Sequence, residues 1–376
     1  MSQPISNPNV VYHSVDPQAN KTTFTDFDTA EFIINTDRNI VRNSIRIEGE
    51  LEVQKSNYPG GARNDFDSRL HFSKRVGAHA LLESITTQIG SDTIESIHDG
   101  YGRLVNMTMS AEKSVDDYYS SDHLCELKAP STQAAIAFCC GKGLTTNAGQ
   151  TFTNNDFSFK PYIAVNRCDN DIPLGRLGGQ MTISINFGRQ EDVLAGIGQV
   201  ATSGYSVTNL RLTYRTVAPA SVPQVNMNSV VVVKQVALSN NASISTKVPA
   251  VCQAVSVSFL KSGRENARNF DTKALEKPPQ LDEVQHLFND STSRLQQYVQ
   301  KDYGEYMDGY LSSLKTAGHH AANPNTVRAN QVFGVGLNFG MDVDLSNSKY
   351  GLELKSQISN TDQYLVFMYF HSKKSL

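Results

Sequence analysis

Apolar and polar residues alternate along much of the chain, the pattern of β-strands that have one face in a core and the other towards water. The clearest segments carry an apolar side chain at every second position. They are residues 45–53, 181–187, 210–214, 255–259 and 333–345. Because turn residues separate these segments, the repeated alternation predicts an antiparallel β-sandwich protein.

The longest alternation covers residues 333–345, near the C-terminus. After a turn at residues 347–348, Tyr350, Leu352 and Leu354 resume the same pattern. Two alternating segments separated by a short turn are typical of a β-hairpin. We therefore predict that these two strands pair with each other.

Three glycines, Gly334, Gly336 and Gly340, occupy even positions of this alternating segment. Dinucleotide-binding loops also contain three closely spaced glycines, but a helix follows them and receives the phosphates at its N-terminus. No helix is predicted after these three. Glycines on one face of a strand favour the close approach of another strand, loop or subunit.

Two segments depart from the alternation and predict helices. Residues 101–111 follow a turn at Asp99 and Gly100 and predict a short helix. Between residues 281 and 314, apolar side chains recur at three-to-four spacing, at Leu281, Val284, Leu287, Phe288, Leu295 and Tyr298. We expect an amphipathic helix packed on the sandwich wall there, weakened in its second half by Gly304 and Gly309.

Two prolines, Pro219 and Pro223, follow the strand that ends near residue 217 and indicate a domain boundary. We predict an N-terminal arm over residues 1–21, because this segment contains three prolines and no apolar periodicity. Residues 22–217 and 218–376 each approach the size of one jelly roll. The second would contain the helical insertion around residues 281–314.

Composition excludes several classes of protein. Hydrophobic residues make up 39% and charged residues 19% of the chain, which is globular composition. The net charge of −3 provides no basic field for a nucleic-acid partner. The five cysteines form no CxxC pair and predict free thiols. A polar N-terminus and the absence of a 20-residue apolar run predict synthesis in the cytoplasm.

Motifs that carry catalytic or metal chemistry are not found in the sequence. The chain has no HExxH, GxSxG or EF-hand motif, and the Gly-Lys-Gly at residues 141–143 lacks the upstream glycine of a phosphate loop. His319 and His320 have no third ligand nearby in sequence. We therefore predict no catalytic residue, no metal site and no cofactor, and we expect that the protein is not an enzyme.

An enzyme on a β-sandwich, such as a cupin-like metal oxygenase, is the enzymatic alternative. Such a site needs clustered histidines. His71, His79 and His98 are the only candidates, and their spacing fits no such motif.

Two stretches, supported by a third, resemble the first jelly roll of double jelly-roll major capsid proteins of DNA viruses, the lineage of adenovirus hexon, tectivirus and virophage capsids. Residues 81–111 place IGSDTI (89–94) where that family has a strand ending in IGG-Q-x-I, followed by a short helix. Residues 171–187, DIPLGRLGGQMTISINF, resemble the approach to a late strand, and residues 204–217 the closing strand. Ser91 replaces the family's usual second glycine, and the tryptophan frequent in the family is absent.

This resemblance implies a mainly β fold with two antiparallel jelly-roll sandwiches side by side and short helices in the connecting segments. It also implies a structural capsid subunit of the virion, whose homotrimers form pseudo-hexameric capsomers of an icosahedral shell. Penton and minor capsid proteins would be its other partners, and an internal membrane beneath the shell would be a further one.

Two alternatives remain open at the level of sequence. The first is a penton or minor capsid protein with a single jelly roll plus an extra domain, which the helical interpretation of residues 281–314 favours. The second is a glycan-binding β-sandwich adhesin. An adhesin needs an aromatic platform on its surface, and the lack of tryptophan argues against it.

Overall fold

The computed structural model describes residues 9–19, 21–55, 70–73, 75–113, 155–196, 203–219, 224–247, 251–266, 272–289, 294–330, 332–344, 349–358 and 360–376. Strands dominate these ranges, as the alternating pattern predicts.

The N-terminal strands form the first sandwich. They are β1 (Val11–Val15), β2 (Thr23–Phe24), β3 (Thr29–Asn35), β4 (Asn39–Ile40), β5 (Arg46–Lys55), β6 (Leu70–Phe72), β7 (Leu82–Ile89), β8 (Asp92–Ile97), β9 (Asn155–Phe159), β10 (Gln180–Phe187), β11 (Leu194–Gly196) and β12 (Ser203–Val217). Two helices accompany them, α1 (Tyr101–Glu112) and α2 (Gln190–Val193), with 3-10 turns at Gly77–Leu81, Ala164–Asn166 and Leu174–Leu177.

Eight of these strands follow the jelly-roll order. One sheet has the order β1-β12-β5-β9, and the opposite layer has the order β3-β10-β7-β8. The jelly-roll letters B to I are assigned to these strands in chain order, that is, to β1, β3, β5, β7, β8, β9, β10 and β12. With these letters the two strand orders are the B-I-D-G and C-H-E-F sheets of a jelly roll. Buried side chains of both layers, such as Leu212 and Ile183, belong to one hydrophobic core.

The C-terminal strands form a second sandwich with the same topology. They are β13 (Asn226–Ala237), β14 (Ala242–Lys247), β15 (Val251–Lys261), β16 (Leu281–Asn289), β17 (Arg294–Gln300), β18 (Val335–Asp344), β19 (Lys349–Ser356) and β20 (Tyr364–Ser375). The orders β13-β20-β15-β18 and β14-β19-β16-β17 are again B-I-D-G and C-H-E-F. Helices α3 (Tyr303–Thr316) and α4 (Pro324–Ala329) and a 3-10 turn at Arg264–Asn266 connect them.

The two sandwiches stand side by side because one sheet passes through both. Strand β8, the F edge of the first sandwich, pairs in parallel with β13, the B edge of the second, where Ser96 faces Val231. The result is a continuous eight-stranded sheet. The mainly β, double jelly-roll architecture expected from the sequence is therefore confirmed.

The period-two alternation correctly marks the buried face of β10, but it fails in the second half of β18, the longest alternating segment, where Met341 is 70% exposed. Along β10, Met181, Ile183, Ile185 and Phe187 are buried, whereas the residues between them are partly or fully exposed. The predicted helix after Gly100 is also confirmed as α1. The boundary placed between residues 217 and 218 stays a prediction, and it falls between the end of β12 and the start of β13.

The helix predicted over residues 281–314 is wrong for most of its length. Residues 281–300 contain strands β16 and β17, and the helix α3 begins only at Tyr303. Strand β16 lies between β19 and β17, and Val284 through Phe288 are all buried. Its pairing with β19 is irregular between Leu281 and Glu283. The register shift and the burial of both strand faces remove the period-two spacing of apolar residues. The spacing that remains resembles that of a helix.

The predicted hairpin between β18 and β19 is also wrong. Strand β18 pairs with β15, whereas β19 pairs with β14 and β16 in the opposite sheet. Consecutive G and H strands of a jelly roll belong to different sheets. The alternation identifies both strands, but it carries no information about their partners.

The predicted N-terminal arm, residues 1–21, contributes a strand to the fold. Residues Val11–Val15 form β1 and pair with β12 from Leu212 to Thr216. The first jelly roll therefore begins before residue 22. Two valines and a tyrosine in this short segment have strong β propensity, a signal that the prolines around it obscured.

Gly336 of β18 and Gly334 just before it allow a close approach, as predicted, and the approaching element is helix α3. A Cβ atom on Gly334 would lie 2.6 Å from the ring of Tyr310, and one on Gly336 would lie 2.5 Å from Oγ of Ser313. Gly340 differs, because nothing lies within 4 Å of its Cβ position and its φ of +73° places it in the left-handed region.

Replacing Gly309 on α3 by alanine is expected to destabilise the protein by about 1–3 kcal/mol through overpacking. A Cβ there would lie 2.2 Å from the carbonyl oxygen of Gly336. Alanine is otherwise the better helix former by about 1 kcal/mol, so the sign of the effect tests the contact. Gly304→Ala, on the first turn of α3, is the control, and urea unfolding should show stability unchanged or slightly increased. Equal effects of the two substitutions would contradict the close packing.

Candidate functional site

Helix α1 is the centre of the joint between the two sandwiches. It follows strand β8 of the first sandwich, and every residue from Tyr101 to Ala111 is buried. At its start, Gly100 has a φ of 81°, and a Cβ there would lie 2.7 Å from the ring of Phe367 on β20. The hydroxyl of Tyr369, also on β20, donates to the carbonyl of Gly100 at 3.0 Å. A helix buried on all sides must find partners for its polar side chains.

Two polar side chains of α1 bind carbonyl groups of the second sandwich. Arg103 is 2% exposed, and its guanidinium donates to the carbonyl oxygens of Thr272 and Phe259. The amide of Asn106 donates to the carbonyl of Lys273 at 2.7 Å. Hydrogen bonds that involve an ionised donor are the stronger ones, so Arg103 fixes the position of α1 against strand β15 and the loop after it.

Helices α3 and α4 of the second sandwich region contact the other side of α1. The hydroxyl of Tyr310 on α3 donates to the carbonyl of Met107 at 3.1 Å. Asn330, next to α4, donates to the carbonyl of Ser110 at 2.9 Å. Backbone carbonyls of α1 thus serve as acceptors for residues more than 200 positions away in sequence.

A buried ion pair links strand β8 of the first sandwich to strand β13 of the second. Glu95 on β8 and Arg167, which follows the 3-10 turn Ala164–Asn166, form a salt bridge with both side chains nearly inaccessible. The Glu95 carboxylate also accepts from the backbone N–H of Val230 at 2.8 Å and of Ala164 at 2.6 Å. Arg167 donates in turn to the carbonyl of Asn228 at 2.7 Å. Val230 and Asn228 lie on β13, so the pair joins the edges of both sandwiches.

The network continues from Arg167 towards the end of α1. The Arg167 guanidinium lies 3.7 Å from the centre of the Tyr162 ring, a cation–π contact. The Tyr162 hydroxyl and His319 Nε2 are 2.5 Å apart, and Nδ1 of His319 lies 2.8 Å from the Glu112 carboxylate. Glu95, Arg167, Tyr162, His319 and Glu112 therefore form one chain of polar contacts.

Burial controls the electrostatics of this network. Desolvation raises the pKa of the Glu95 carboxyl, and the charge of Arg167 with the two backbone N–H groups opposes this rise. Desolvation also raises the pKa of Tyr162 above its usual range, which keeps its hydroxyl neutral. A network of this kind positions structural elements.

The pH dependence of stability between pH 6.5 and 4.5 should come largely from two buried histidines. Desolvation lowers the pKa of His371 to about 3 and of His286 to about 4. The unfolded chain, with histidine pKa values near 6.5, binds more protons in this interval, so stability falls as pH falls. Each histidine should cost roughly 2–3 kcal/mol over these two pH units. The raised pKa of Glu95 acts in the opposite direction.

Single substitutions isolate this contribution. His371→Gln should reduce the loss of unfolding free energy between pH 6.5 and 4.5 by about half the histidine contribution. The control is His98→Gln, the same substitution at an exposed position, and its pH slope is compared with that of His371→Gln. Denaturant titrations at a series of pH values measure the slopes. Identical slopes for both variants would mean that His371 is protonated in the folded protein.

Three of the five histidines considered as metal ligands have other partners. His319 belongs to the joint, where both of its ring nitrogens contact Glu112 and Tyr162. His79 is buried with Nδ1 3.0 Å from the Tyr101 hydroxyl, and His98 Nε2 lies 2.6 Å from Oγ of Ser96. Within the described ranges, no three His, Cys, Asp or Glu residues are grouped as a metal site would require. The Gly-Lys-Gly at residues 141–143 lies outside those ranges.

The free thiols predicted from the sequence are found at Cys168 and Cys252. The other three cysteines lie outside the described residues. Burial raises the pKa of both thiols to about 11. They are therefore protonated at neutral pH and are poor nucleophiles.

An open cleft of about 640 Å³ lies beside the joint, between strand β15 and the start of α3. Its cations are partly neutralised, because Arg264 pairs with Glu276 and Lys261 pairs with Asp362. Its lining residues include no serine, cysteine, histidine or aspartate. The cleft therefore contains no Ser–His or Cys–His pair. Among the described helices, none is both long and apolar enough to cross a bilayer.

Sequence reasoning missed the joint residues Glu95, Arg167 and Arg103. The only local signal is Glu95 itself, a charge between Ile94 and Ser96 in an otherwise apolar strand end. Arg103 occurs within a helix whose other residues are mostly apolar or small. Their partners are mainly backbone groups distant in sequence, which no local pattern identifies.

Comparison with known proteins reveals a likeness of fold and none of sequence. No protein-family model and no curated protein matches the chain. The Faustovirus major capsid protein superimposes with a TM-score of 0.59 at 10% identity, covering 100% of this chain and 91% of that one. PBCV-1 VP54, solved as a crystal structure and fitted into a reconstruction of the virophage Sputnik, gives 0.56 at 11% identity over 98% and 95%. The mavirus major capsid protein gives 0.50 at 9% over 100% and 91%.

These three likenesses extend over nearly the full length of both chains in each pair. At such low identity they establish the fold alone. The chain therefore has the double jelly-roll fold of these viral proteins.

Proposed function

We propose that this protein is a structural subunit of an icosahedral virus shell, located in the virion, and that it forms trimeric capsomers with a pseudo-hexagonal outline. The observation that carries the proposal is the rigid joint. Two complete jelly rolls are held side by side by the buried pair Glu95–Arg167 and by helix α1. A shell protein needs a fixed shape with extensive side surfaces, and this arrangement provides both.

A structural role also agrees with the chemistry of the described residues. The polar groups of the joint are neutralised by one another, and the buried thiols are protonated at neutral pH. We propose that the protein has no enzymatic activity, that its main partner is itself, and that penton and minor capsid proteins complete the shell. We also propose that the boundary between the two jelly rolls lies between residues 217 and 218, in the segment that separates β12 from β13.

The alternative of a penton or minor protein with a single jelly roll loses its supporting feature. It depended on a helix over residues 281–314, where strands β16 and β17 instead complete a second C-H-E-F sheet. A glycan-binding adhesin remains testable on a glycan array. Specific glycan binding by a protein that stays monomeric would favour the adhesin.

The decisive experiment is a size measurement combined with electron microscopy of the purified chain. We expect trimers with a hexagonal outline and a β-dominated circular dichroism spectrum with a minor helical part. Light scattering over a range of protein and salt concentrations separates trimers from monomers. A monomer that persists under all conditions would overturn the proposal.

A further inference from the structure

We propose that the open cleft beside the joint is a binding site for a small organic anion with an aromatic part, such as an aryl phosphate. The cleft, of about 640 Å³, lies between strand β15 and the start of α3. This volume falls within the range of roughly 300–1,000 Å³ that is typical of small-molecule sites. The inference goes beyond the proposed function and does not rest on it, because every side chain that would hold the ligand belongs to one chain.

Positive charge is concentrated in this cleft. Five cationic side chains and one carboxylate line it, whereas the whole chain has a net charge of −3. The cations are Arg75, Lys261, Arg264, Lys277 and Arg328. A concave surface lined mainly by one sign of charge focuses its electrostatic field and raises the local concentration of oppositely charged ligands. The cleft therefore favours anions.

Two of these cations are available to a ligand. Within the described ranges, Lys277 and Arg328 form no ion pair, whereas Arg264 and Lys261 each pair with a carboxylate. The ammonium of Lys277 lies 5.9 Å from the centre of the Phe333 ring. This contact holds the ammonium near an aromatic surface but leaves its positive charge without a counter-ion. Both Lys277 and Arg328 are exposed, so their side chains can turn towards a bound anion.

Most of the remaining lining is apolar or aromatic. Phe259, Leu275, Val332 and Phe333 are buried residues of the cleft, and Tyr303 adds a ring that is 51% exposed. Small-molecule sites commonly combine a mainly apolar lining with a few polar groups that fix the orientation of the ligand. An inorganic ion would leave the apolar lining in contact with water, so the ligand that fits best also has an apolar part.

A hydroxyl without a partner also belongs to the cleft. Tyr364 is 3% exposed, and its hydroxyl has no hydrogen-bond partner among the described residues. Desolvation raises the pKa of Tyr364, so the hydroxyl stays protonated and can only gain by donating to an acceptor. A buried polar group without a partner costs free energy. An anionic oxygen, which accepts hydrogen bonds and attracts cations, would satisfy both kinds of group.

Both sandwiches contribute to the cleft. Arg75 follows strand β6 of the first sandwich, whereas Lys277 precedes β16 and Arg328 lies on α4. These segments are distant in sequence and come together only in the folded chain. A ligand that binds the folded chain and not the unfolded one stabilises the protein by mass action. Binding should therefore raise the melting temperature.

The first test uses α-naphthyl phosphate, α-naphthol and inorganic phosphate, which separate the anionic from the aromatic part of the ligand. Isothermal titration calorimetry of the full chain should show one α-naphthyl phosphate bound per chain. We expect α-naphthol and inorganic phosphate to bind at least about ten-fold more weakly. The melting temperature should rise with the concentration of α-naphthyl phosphate. No binding of this probe at millimolar concentration, or equally tight binding of either fragment, would overturn the inference.

The second test locates the site. The double variant Lys277→Gln, Arg328→Gln should bind α-naphthyl phosphate at least about ten-fold more weakly, because it removes both unpaired cations. Its control is Lys315→Gln, Lys373→Gln, which makes the same change of net charge at two exposed lysines of another cleft. The control should bind the probe as the unmodified chain does.

Equal losses of affinity in the two double variants would contradict the inference, because the probe would then follow net charge and not this cleft. Melting temperatures without the probe verify that each variant folds, and Arg328→Gln alone replaces the double variant if that one does not. The size of the assembly is measured independently of the probe. The proposed function therefore stands or falls separately from this site.

Discussion

Glu95→Gln is expected to lower the free energy of unfolding by about 3–5 kcal/mol, because it leaves a buried arginine without its counter-charge. The side chains of Glu95 and Arg167 are 1% and 11% exposed, so water cannot replace the lost partner. The glutamine amide would also direct a donor towards the N–H of Ala164, which now donates to the carboxylate at 2.6 Å. A donor facing a buried donor adds a desolvation cost.

The matched control is Glu48→Gln on strand β5. Glu48 also pairs with an arginine, but Arg211 is 55% exposed and the pair lies on the surface. Exposed ion pairs contribute about 0–1 kcal/mol, and the control should lose no more than that. Urea unfolding of both variants at neutral pH gives the comparison directly.

A small loss for Glu95→Gln would have a specific meaning. Burial raises the pKa of Glu95, and a carboxyl that is neutral in the folded protein would tolerate an amide of the same shape. Equal effects of the two substitutions would thus show that Glu95 is not the ionised partner of Arg167. The charged joint would then have to depend on Arg103 and the carbonyl groups it binds.

The sequence was sufficient to predict strands, because their buried faces impose a local rule. Met181, Ile183 and Ile185 face one core, and their neighbours do not. The rule fails in β16, where Val284 and His286 are buried together with Gln285 between them. A strand that is buried on both faces loses its alternation, and its apolar spacing then resembles that of a helix.

Strand partners could not be derived from local patterns. Strands β18 and β19 are adjacent in sequence but lie in opposite sheets, because the jelly-roll topology separates consecutive strands. Strand β1 pairs with β12 about 200 residues later. Such pairing depends on which faces the whole fold must bury, so the resemblance to capsid proteins was more informative here than the alternation.

The joint was the least predictable part of the molecule. Its main acceptors are backbone carbonyls of Thr272, Phe259 and Lys273, which have no signature in the sequence. The side chains that bind them look like ordinary surface residues when only their neighbours in sequence are considered. Their burial follows from the docking of two sandwiches, a tertiary event that residue patterns along one strand or helix do not record.

Leu337→Asp on β18 is expected to give insoluble or unfolded protein. Leu337 is 8% exposed and belongs to the core of the second sandwich, where it faces Val255 across the β15–β18 pairing. The substitution removes apolar packing, at about 2–5 kcal/mol, and introduces a buried carboxylate that has no partner. Together these costs approach the roughly 5–15 kcal/mol by which a domain is stable.

Asn338→Asp, one position away, separates burial from the simple presence of a new charge. Asn338 is exposed, and its amide donates to Oγ of Ser312 on α3 at 3.3 Å. Because successive residues of a strand point to opposite faces, the new carboxylate remains in water and stability should change by no more than about 0.5 kcal/mol. Soluble yield and melting temperature of the two variants provide the comparison. If both variants were equally soluble, Leu337 could not belong to a closed core, and the second sandwich would lack the packing that makes it a rigid half of the subunit.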